Sequence, residues 1–449
     1  MSGPPNGSVI VMPRRNGPLR LLWVKVGGLW PPNAGGRLRS LHLLRELSRR
    51  HSVTVLTTHG PAEDPKVLRE QLPRCDVWSA PFAAPKHGSG AFLRALVRSW
   101  WSPLPLDLCR WRVPALTAEL RARAAQRQAD LYIVDFLVSA ANLPARLPLP
   151  LVLFEHNVEH QIWRRLACVE RRPWRRAALE LEWRKLRRYE AHACRSAPLT
   201  LAVSDADAQA LRGLAPGAAV RAIPTGVDTD YFTPAVAREV PGRLVFTGSM
   251  DWYPNEEAML HFLGRVFPRI REAAPETTLA IVGRKPSARL SRAAALAGAR
   301  VTGTVQDVRP YVREASVFVV PLRVGGGTRL KIFEALAMGK AVVSTRIGAE
   351  GLPLVPGHHY LRADDDADFA RAVLALLADP GQRRALGSAG RSLVEERYSW
   401  REVARVFEER CLETLPTFRA AAECAGPRVL RRNEWPSFQR RGPLRESGG

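Results

Sequence analysis

Short apolar runs recur along the chain, separated by glycine-containing joints and longer segments of mixed polarity. The run Leu19–Val26 (LRLLWVKV) suits a strand buried on both faces, as in a parallel sheet. The turn GGLWPPNAGG follows, and then RLRSLHLLRELSRR, which brings Leu38, Leu41, Leu44 and Leu47 near one helical face. His51–Thr58 (HSVTVLTT) is the next strand. A strand, glycine loop, helix and strand in about 40 residues predict a doubly wound α/β unit. More strands are predicted at Leu131–Asp135, Leu151–Glu155 and Leu199–Val203. Helices are predicted over 91–127 and 160–195, the second interrupted at Pro173.

A second series begins after Val227. Its strands are Leu244–Gly248, Leu279–Gly283, Val301–Gly303, Val317–Pro321 and Ala341–Ser344. Helical segments near 255–273, 288–297, 328–338 and 366–378 separate them. The expected fold class is therefore α/β, with two Rossmann-like doubly wound domains facing a cleft. Their expected limits are 19–225 and 243–395, joined by a linker at 226–242. A C-terminal helix is expected at 396–412, placed to cross back to the first domain. Residues 1–18 are expected to be disordered and 413–449 to form a mobile basic tail, since both lose periodicity.

Composition narrows the class. Hydrophobic residues make up 46% of 449, enough for two cores, which excludes a disordered or collagen-like chain. The formal charge of +24 attracts anions and acidic membranes. Most of it is arginine in a chain rich in proline and alanine, so charge alone does not select the partner. Six cysteines without a close CxxC pair support neither a disulfide scaffold nor a zinc site. The opening MSGPPNGSVIVMPRRNG lacks the apolar run of a signal peptide, and no window of 18 uncharged apolar residues follows. A cytoplasmic location is expected, with peripheral contact to the inner face of the membrane. Nucleic acid is not an expected partner, because no helix-turn-helix, zinc finger or single-strand module is present.

The densest candidate chemistry lies between Val324 and Gly339. Gly325, Gly326 and Gly327 follow a predicted strand and directly precede a helix, permitting close backbone approach to a ligand. Thr328 can cap that helix, whose first amides then face an anion. Arg329 and Lys331 add positive charge beside it. This is a phosphate-binding constellation at the carboxyl end of a strand, without the GK[ST] ending of a Walker loop.

Six segments, in order, resemble one family. They are Ala34–Gly36 (AGG), Glu155–His160 (EHNVEH), Ala202–Leu211 (AVSDADAQAL), Pro224–Phe232 (PTGVDTDYF), Phe246–Asn255 (FTGSMDWYPN) and Gly325–Thr345 (GGGTRLKIFEALAMGKAVVST). Together they resemble the retaining, metal-independent glycosyltransferases of family 4, which have the GT-B fold. The nearest likeness is to a sugar transferase subgroup found with bacterial exopolysaccharide loci. The resemblance implies transfer of a hexose from a nucleotide diphosphate sugar to a glycan or lipid-linked glycan, with retention and with neither cofactor nor metal. It assigns Glu334 to the ribose hydroxyls of the donor and His156 to a hydroxyl of the donor sugar. Gly35 and Gly36 are expected to border the diphosphate and acceptor, and Gly248 and Gly283 to lie at the nucleotide.

Two departures from the family pattern matter. Family members usually carry a second glutamate eight positions before the first, where this chain has Gly326. Many also carry an arginine and a lysine after the glycine strand that opens the second domain, whereas Gly248–Asn255 holds no cation. Arg329 and Lys331 are expected to replace that diphosphate clamp, with Arg284 and Lys285 next in line. Trp252 and Tyr253 could stack on a base or sugar of the donor, or serve a core or lip-packing role. His160, Glu155 and Glu159 accompany His156 without forming HExxH, so no metal is expected. The acidic pairs Asp205/Asp207 and Asp228/Asp230 and the run Asp364–Asp366 are read as caps and loops rather than metal ligands.

Residues 161–195 contain eleven Arg or Lys against four Glu, a net +7, interleaved with Trp163, Leu166, Trp174, Leu179, Leu181, Trp183, Leu186 and Tyr189. This segment is expected to touch an anionic membrane surface or to pack as a solvated basic helix. A glycosidase is disfavoured by the lack of an opposed carboxylate pair, and a dinucleotide oxidoreductase by the lack of GxGxxG in the first loop. A non-catalytic GT-B nucleotide-binding scaffold or regulatory protein remains the alternative function.

Overall fold

The computed structural model describes residues 17–425, apart from 33, 87, 127, 145–149, 171, 235–238 and 325–329. Two parallel sheets organise the chain. The first is built from β1 (Arg20–Lys25), β2 (Ser52–His59), β3 (Cys75–Pro81), β4 (Leu131–Asp135), β5 (Leu151–Glu155), β6 (Leu199–Ala202) and β7 (Val220–Ala222), in the order β3-β2-β1-β4-β5-β6-β7. Reversal of direction from β1 to β4 is the switch point at which doubly wound sheets gather ligands beyond their carboxyl ends.

The strands are apolar on both faces because helices cover both. Leu22, Val24, Tyr132, Val134, Leu151 and Leu153 pack into one layer; Leu21, Trp23, Ile133, Val152 and Phe154 pack into the other. The last helix, Trp400–Ala425, crosses to this sheet and seals the second layer with Val403, Phe407 and Cys411. The Phe407 ring stacks on Trp23 at 5.6 Å. This helix runs past the expected end at 412, so residues 413–425 are helix rather than tail. The expected disorder of 1–16 and 426–449 lies outside the described residues.

The second sheet holds β8 (Arg243–Thr247), β9 (Thr278–Val282), β10 (Arg300–Val301), β11 (Val317–Val320), β12 (Ala341–Ser344) and β13 (Leu361–Arg362), in the order β10-β9-β8-β11-β12-β13. Both sheets are Rossmann-like, and the chain crosses between them twice. At these crossings Val227 pairs with Ser399, and the Val227 amide donates to Tyr398 O at 2.7 Å.

Differences from the sequence reading have local causes. The long helix expected over 91–127 is three pieces, Gly90–Trp100, Leu106–Arg110 and Pro114–Ala125, divided where Pro103, Pro105 and Pro114 interrupt the ladder. The helix expected over 255–273 contains a π-helical stretch at Phe262–Val266. The interruption expected at Pro173 is present: residues 160–195 form two helices, Glu159–Val169 and Pro173–Ser196. Leu186 and Tyr189 of the second are buried in the first core, while Leu166, Trp174 and Leu181 stay exposed.

Candidate functional site

On the second sheet, the carboxyl ends of β8 and β9 lie side by side. The Gly248 amide donates to Val282 O at 2.9 Å, and the Met250 amide to Arg284 O at 2.9 Å. A Cβ on Gly283 would run into the Gly248 carbonyl, so only glycine permits this approach. The turn Ser249–Trp252 is thereby pinned, and Asn255, buried in the helix Tyr253–His261, donates from Nδ2 to Ser249 O at 2.8 Å.

Cations reach this turn from two other elements. Lys331, in the helix Leu330–Ala337, donates to Asn255 Oδ1 at 2.8 Å, with its ammonium 4.1 Å from the Phe246 ring centre. Arg284 Nε donates to Ser249 Oγ at 2.7 Å, and Lys285 Nζ lies 3.3 Å from Asp251 Oδ2. The Ser249 hydroxyl, with Lys285 and Arg284, holds the Asp251 carboxyl below the usual carboxylate range. Reading the sequence linearly found no cation between 248 and 255; folding brings Lys331, Arg284 and Lys285 to that segment. Trp252 and Tyr253 are exposed at its end, which removes the reading of a buried core role.

Glu334 is half-buried one turn beyond Leu330. Burial pushes its carboxyl up to about 7, against the opposing pull of Lys331. The expectations for Gly325, Gly326, Gly327, Thr328 and Arg329 lie outside the described residues.

The first sheet gathers a buried polar cluster that the sequence reading found only in part. His156, just past β5, is buried. Its Nε2 lies 2.7 Å from Asp135 Oδ1, at the end of β4, and its Nδ1 lies 3.0 Å from Arg39 Nη1. Arginine has only donors, so Nδ1 accepts and the ring proton sits on Nε2, directed at Asp135. Asp135 also accepts from Trp23 Nε1 at 2.8 Å and pairs with Lys25 Nζ at 3.1 Å. Arg39 donates through Nη2 to Thr225 Oγ1 at 2.9 Å, next to the first crossing between the sheets.

Burial, acting first, pushes His156 down to about 3, Lys25 down to about 8 and Arg39 down to about 10. Burial alone would raise Asp135, but Lys25 and His156 outweigh it and hold the carboxyl well below the usual range. Above the cluster lies Phe136, at φ 73°, its ring stacked on His156 at 3.9 Å and facing the Lys25 ammonium at 4.0 Å. Gly36 rests on Phe136, where any Cβ would collide with the ring. Gly35 opens the helix Gly35–Leu47 beside it. Lys25 and Asp135 had a signal in the sequence: each is a charge closing an apolar run.

The neighbouring acids serve the framework. Glu190 accepts from the Glu159 amide at 2.8 Å and from His160 Nδ1 at 2.5 Å, anchoring the start of the helix Glu159–Val169. Glu155 is buried; desolvation, then Glu190 and Glu159, raise its carboxyl well above the ordinary range. Ser204 caps its helix by accepting from the Asp207 amide at 3.1 Å, and Asp365 caps another by accepting from the Asp368 amide at 2.8 Å. Asp228 accepts from the Tyr231 amide at 2.8 Å. Among the described residues no group of three or more His, Cys, Asp or Glu is placed to hold a metal ion.

Two family descriptions match in succession. Glycosyltransferase Family 4 matches residues 35–231, and Glycosyl transferases group 1 matches residues 241–379. A GDP-mannose-dependent alpha-(1-6)-phosphatidylinositol monomannoside mannosyltransferase of Mycolicibacterium smegmatis is 33% identical over 209 residues, 41% of this chain and 54% of that protein. An uncharacterized 44.6 kDa protein in the cps region of Klebsiella pneumoniae is 22% identical over 175 residues, 37% of this chain and 45% of that protein. The chain thus spans about half the length of the curated relatives it matches. The solved structure of HepE from Anabaena in complex with UDP and glucose superposes with a TM-score of 0.57 at 15% identity, covering 87% of this chain and 98% of that one. Two parallel sheets in GT-B order, with both halves matched in sequence, place the chain in glycosyltransferase family 4.

Proposed function

We propose that the protein transfers a hexose from a nucleotide diphosphate sugar to a glycan or lipid-linked glycan, with retention, in exopolysaccharide or cell-surface polysaccharide synthesis. The observation that carries this reading is the set of cations converging on Ser249–Trp252. A departing nucleotide diphosphate gains negative charge as the glycosidic bond breaks, and fixed positive charge there lowers the barrier. Lys331 is preoriented by Asn255 and Phe246, while Arg284 and Lys285 supply the rim. Arg329, Thr328 and the amides of Gly325, Gly326 and Gly327 are proposed to complete the anion site. Glu334, ionised, would accept from the ribose hydroxyls.

The first sheet supplies the other wall. Gly35 and Gly36 allow the donor and acceptor to approach Phe136 and His156. Both nitrogens of His156 are engaged, so a bond from this ring to a sugar hydroxyl requires exchange of the Arg39 or the Asp135 partner. Work is proposed to take place in the cytoplasm, at the inner face of the membrane where a lipid-linked acceptor would lie.

The test has two parts. UDP-, GDP- and ADP-linked sugars are compared for protection against thermal unfolding, and a selective rise in midpoint names the donor. Nucleotide release from that donor is then followed with and without glycan acceptors. Acceleration by acceptor supports transfer. Tight binding with no turnover under any acceptor would overturn the reading and leave a GT-B binding scaffold.

A further inference from the structure

The helix Gly90–Trp100 carries a stripe of bare apolar side chains that the proposed transfer reaction does not use. Leu93, Val97, Trp100 and the following Trp101 fall at i, i+4, i+7 and i+8, one side of a helix. The two tryptophans are 64% and 88% exposed. Ala95 and Ser99 form the opposite, buried side. So strong a segregation, with two adjacent indoles in water, marks a surface that is covered in use.

The carboxyl end of this helix is bolted to the helix Pro173–Ser196. Lys185 Nζ donates to Ser99 O at 2.7 Å, and Glu182 Oε1 lies 3.1 Å from Ser99 Oγ. Glu182 Oε2 also accepts from the Leu106 amide at 2.6 Å, fixing the chain just beyond the tryptophans. Leu181, next in sequence to Glu182, is exposed, and Trp174 lies exposed further up the same helix. The short helix Gly90–Trp100 contains no acid, and Arg94 and Arg98 are exposed between its apolar residues. Arg164 and Arg165 are exposed on the helix Glu159–Val169, and Arg175 and Arg176 on the helix Pro173–Ser196.

Charge selects the occupant. A second copy of this chain would set the arginine field against itself. A neutral apolar partner would leave the field without counter-charge. A sheet of anionic headgroups over an apolar interior meets both needs: indoles favour the headgroup level, and arginines pair with phosphate above it. We propose that this face docks on an anionic lipid bilayer, with Trp100 and Trp101 as the inserting pair. The sequence had pointed to 161–195; on this proposal those helices are the charged flank, and insertion falls to a helix that carried no such expectation. The proposal goes beyond glycosyl transfer, and its test involves neither donor nor acceptor.

The full chain is sedimented with vesicles of equimolar phosphatidylglycerol and phosphatidylcholine, and with phosphatidylcholine alone. Binding is expected only to the first, accompanied by a blue shift of tryptophan emission. It should weaken as added salt shortens the screening length from about 10 Å at 0.1 M to about 3 Å at 1 M. Trp100→Ser with Trp101→Ser should lower partitioning by about tenfold or more. Arg94→Glu with Arg98→Glu should weaken the preference for anionic lipid. Leu296→Ser, at a site 85% exposed in the second half of the chain, should change nothing and serves as the control. All these positions are exposed, so circular dichroism and melting should match the parent protein. Undiminished binding by the double tryptophan variant, equal loss in the Leu296 variant, or no binding to anionic vesicles at low salt would each overturn the proposal. So would a dimer in sedimentation velocity that the tryptophan substitutions dissolve, since that assigns the face to a second copy.

Discussion

Asp135 anchors the first-sheet cluster, and replacing it isolates what the cluster contributes. Asp135→Asn keeps the shape of the side chain and an acceptor oxygen, but removes the counter-charge 3.1 Å from buried Lys25. Breaking one side of a buried ion pair typically destabilises by about 3–5 kcal/mol. For a unit of this size that is a fall of roughly 6–20 °C in the melting midpoint of the half carrying the first sheet. The loss should depend on pH. Burial already pushes Lys25 down to about 8, with Arg37 and Arg39 adding to the push, and the variant lacks the carboxylate that resists. The folded variant therefore binds fewer protons than the unfolded chain, so its stability rises with pH, by up to about 1.4 kcal/mol per unit. The gap from the parent should be widest near about pH 6 and narrow towards about pH 8, where the parent Lys25 also titrates. Lys25→Met combined with Asp135→Asn should recover most of the midpoint, since removing both partners is often neutral. Differential scanning fluorimetry across that pH range reads all of this. An unchanged midpoint for Asp135→Asn near about pH 6, or no recovery in the double variant, would refute the account of a buried pair holding this cluster.

Glu334→Gln should weaken donor nucleotide binding by roughly 1.5–3 kcal/mol in calorimetry, the worth of a charged hydrogen bond. Because burial holds Glu334 at about 7, parent affinity should rise with pH through that value as the carboxylate forms, and the variant should lose the rise; a flat parent profile would remove the ribose assignment. Lys331→Ala should cut single-turnover rates more than it weakens binding of the bare nucleoside, and Arg284→Ala should do so less, since it sits on an exposed rim. Equal, near-normal rates in both would place the diphosphate clamp elsewhere. His156→Ala should lower turnover while leaving nucleotide affinity within a few fold; full activity at saturating substrates would reduce the ring to packing.

Most of the sheet framework was legible because parallel strands buried on both faces leave continuous apolar runs, as in Leu131–Asp135 and Leu151–Glu155. β3 was not, since Cys75–Pro81 is an edge strand with a mixed sequence and only two buried side chains. Glycine spacing led to the second-sheet turn and put Arg284 and Lys285 at another strand end, but a linear reading could not see that Arg284 bonds Ser249 and Lys285 pairs with Asp251. His156 was found through the likeness of EHNVEH, yet its partners were missed. Arg39 looked like one more arginine on an amphipathic helix in an arginine-rich chain, and only folding shows it buried. Exposure was equally illegible: the tryptophans at 100 and 101 resemble core residues until the opposite side of their helix is seen to be the buried one.

The helix Gly35–Leu47 ties these observations together. It opens on the glycines that rest on Phe136, sends Arg39 to both His156 and Thr225, and stacks His42 on Trp400 at 5.0 Å with the rings 3° from parallel. Thr225 and Trp400 flank the two places where the chain passes between sheets. Rotation of one sheet relative to the other must be taken up at those crossings, because they are the covalent joints. It must therefore strain or shift the contacts that one helix makes with both. Arg39 and His42 are three residues apart on a rigid element, so a displacement at the crossings cannot be absorbed by Arg39 without moving the guanidinium that fixes the His156 tautomer. The geometry of the first-sheet cluster and the relative placement of the two halves are, on this packing, one mechanical problem rather than two.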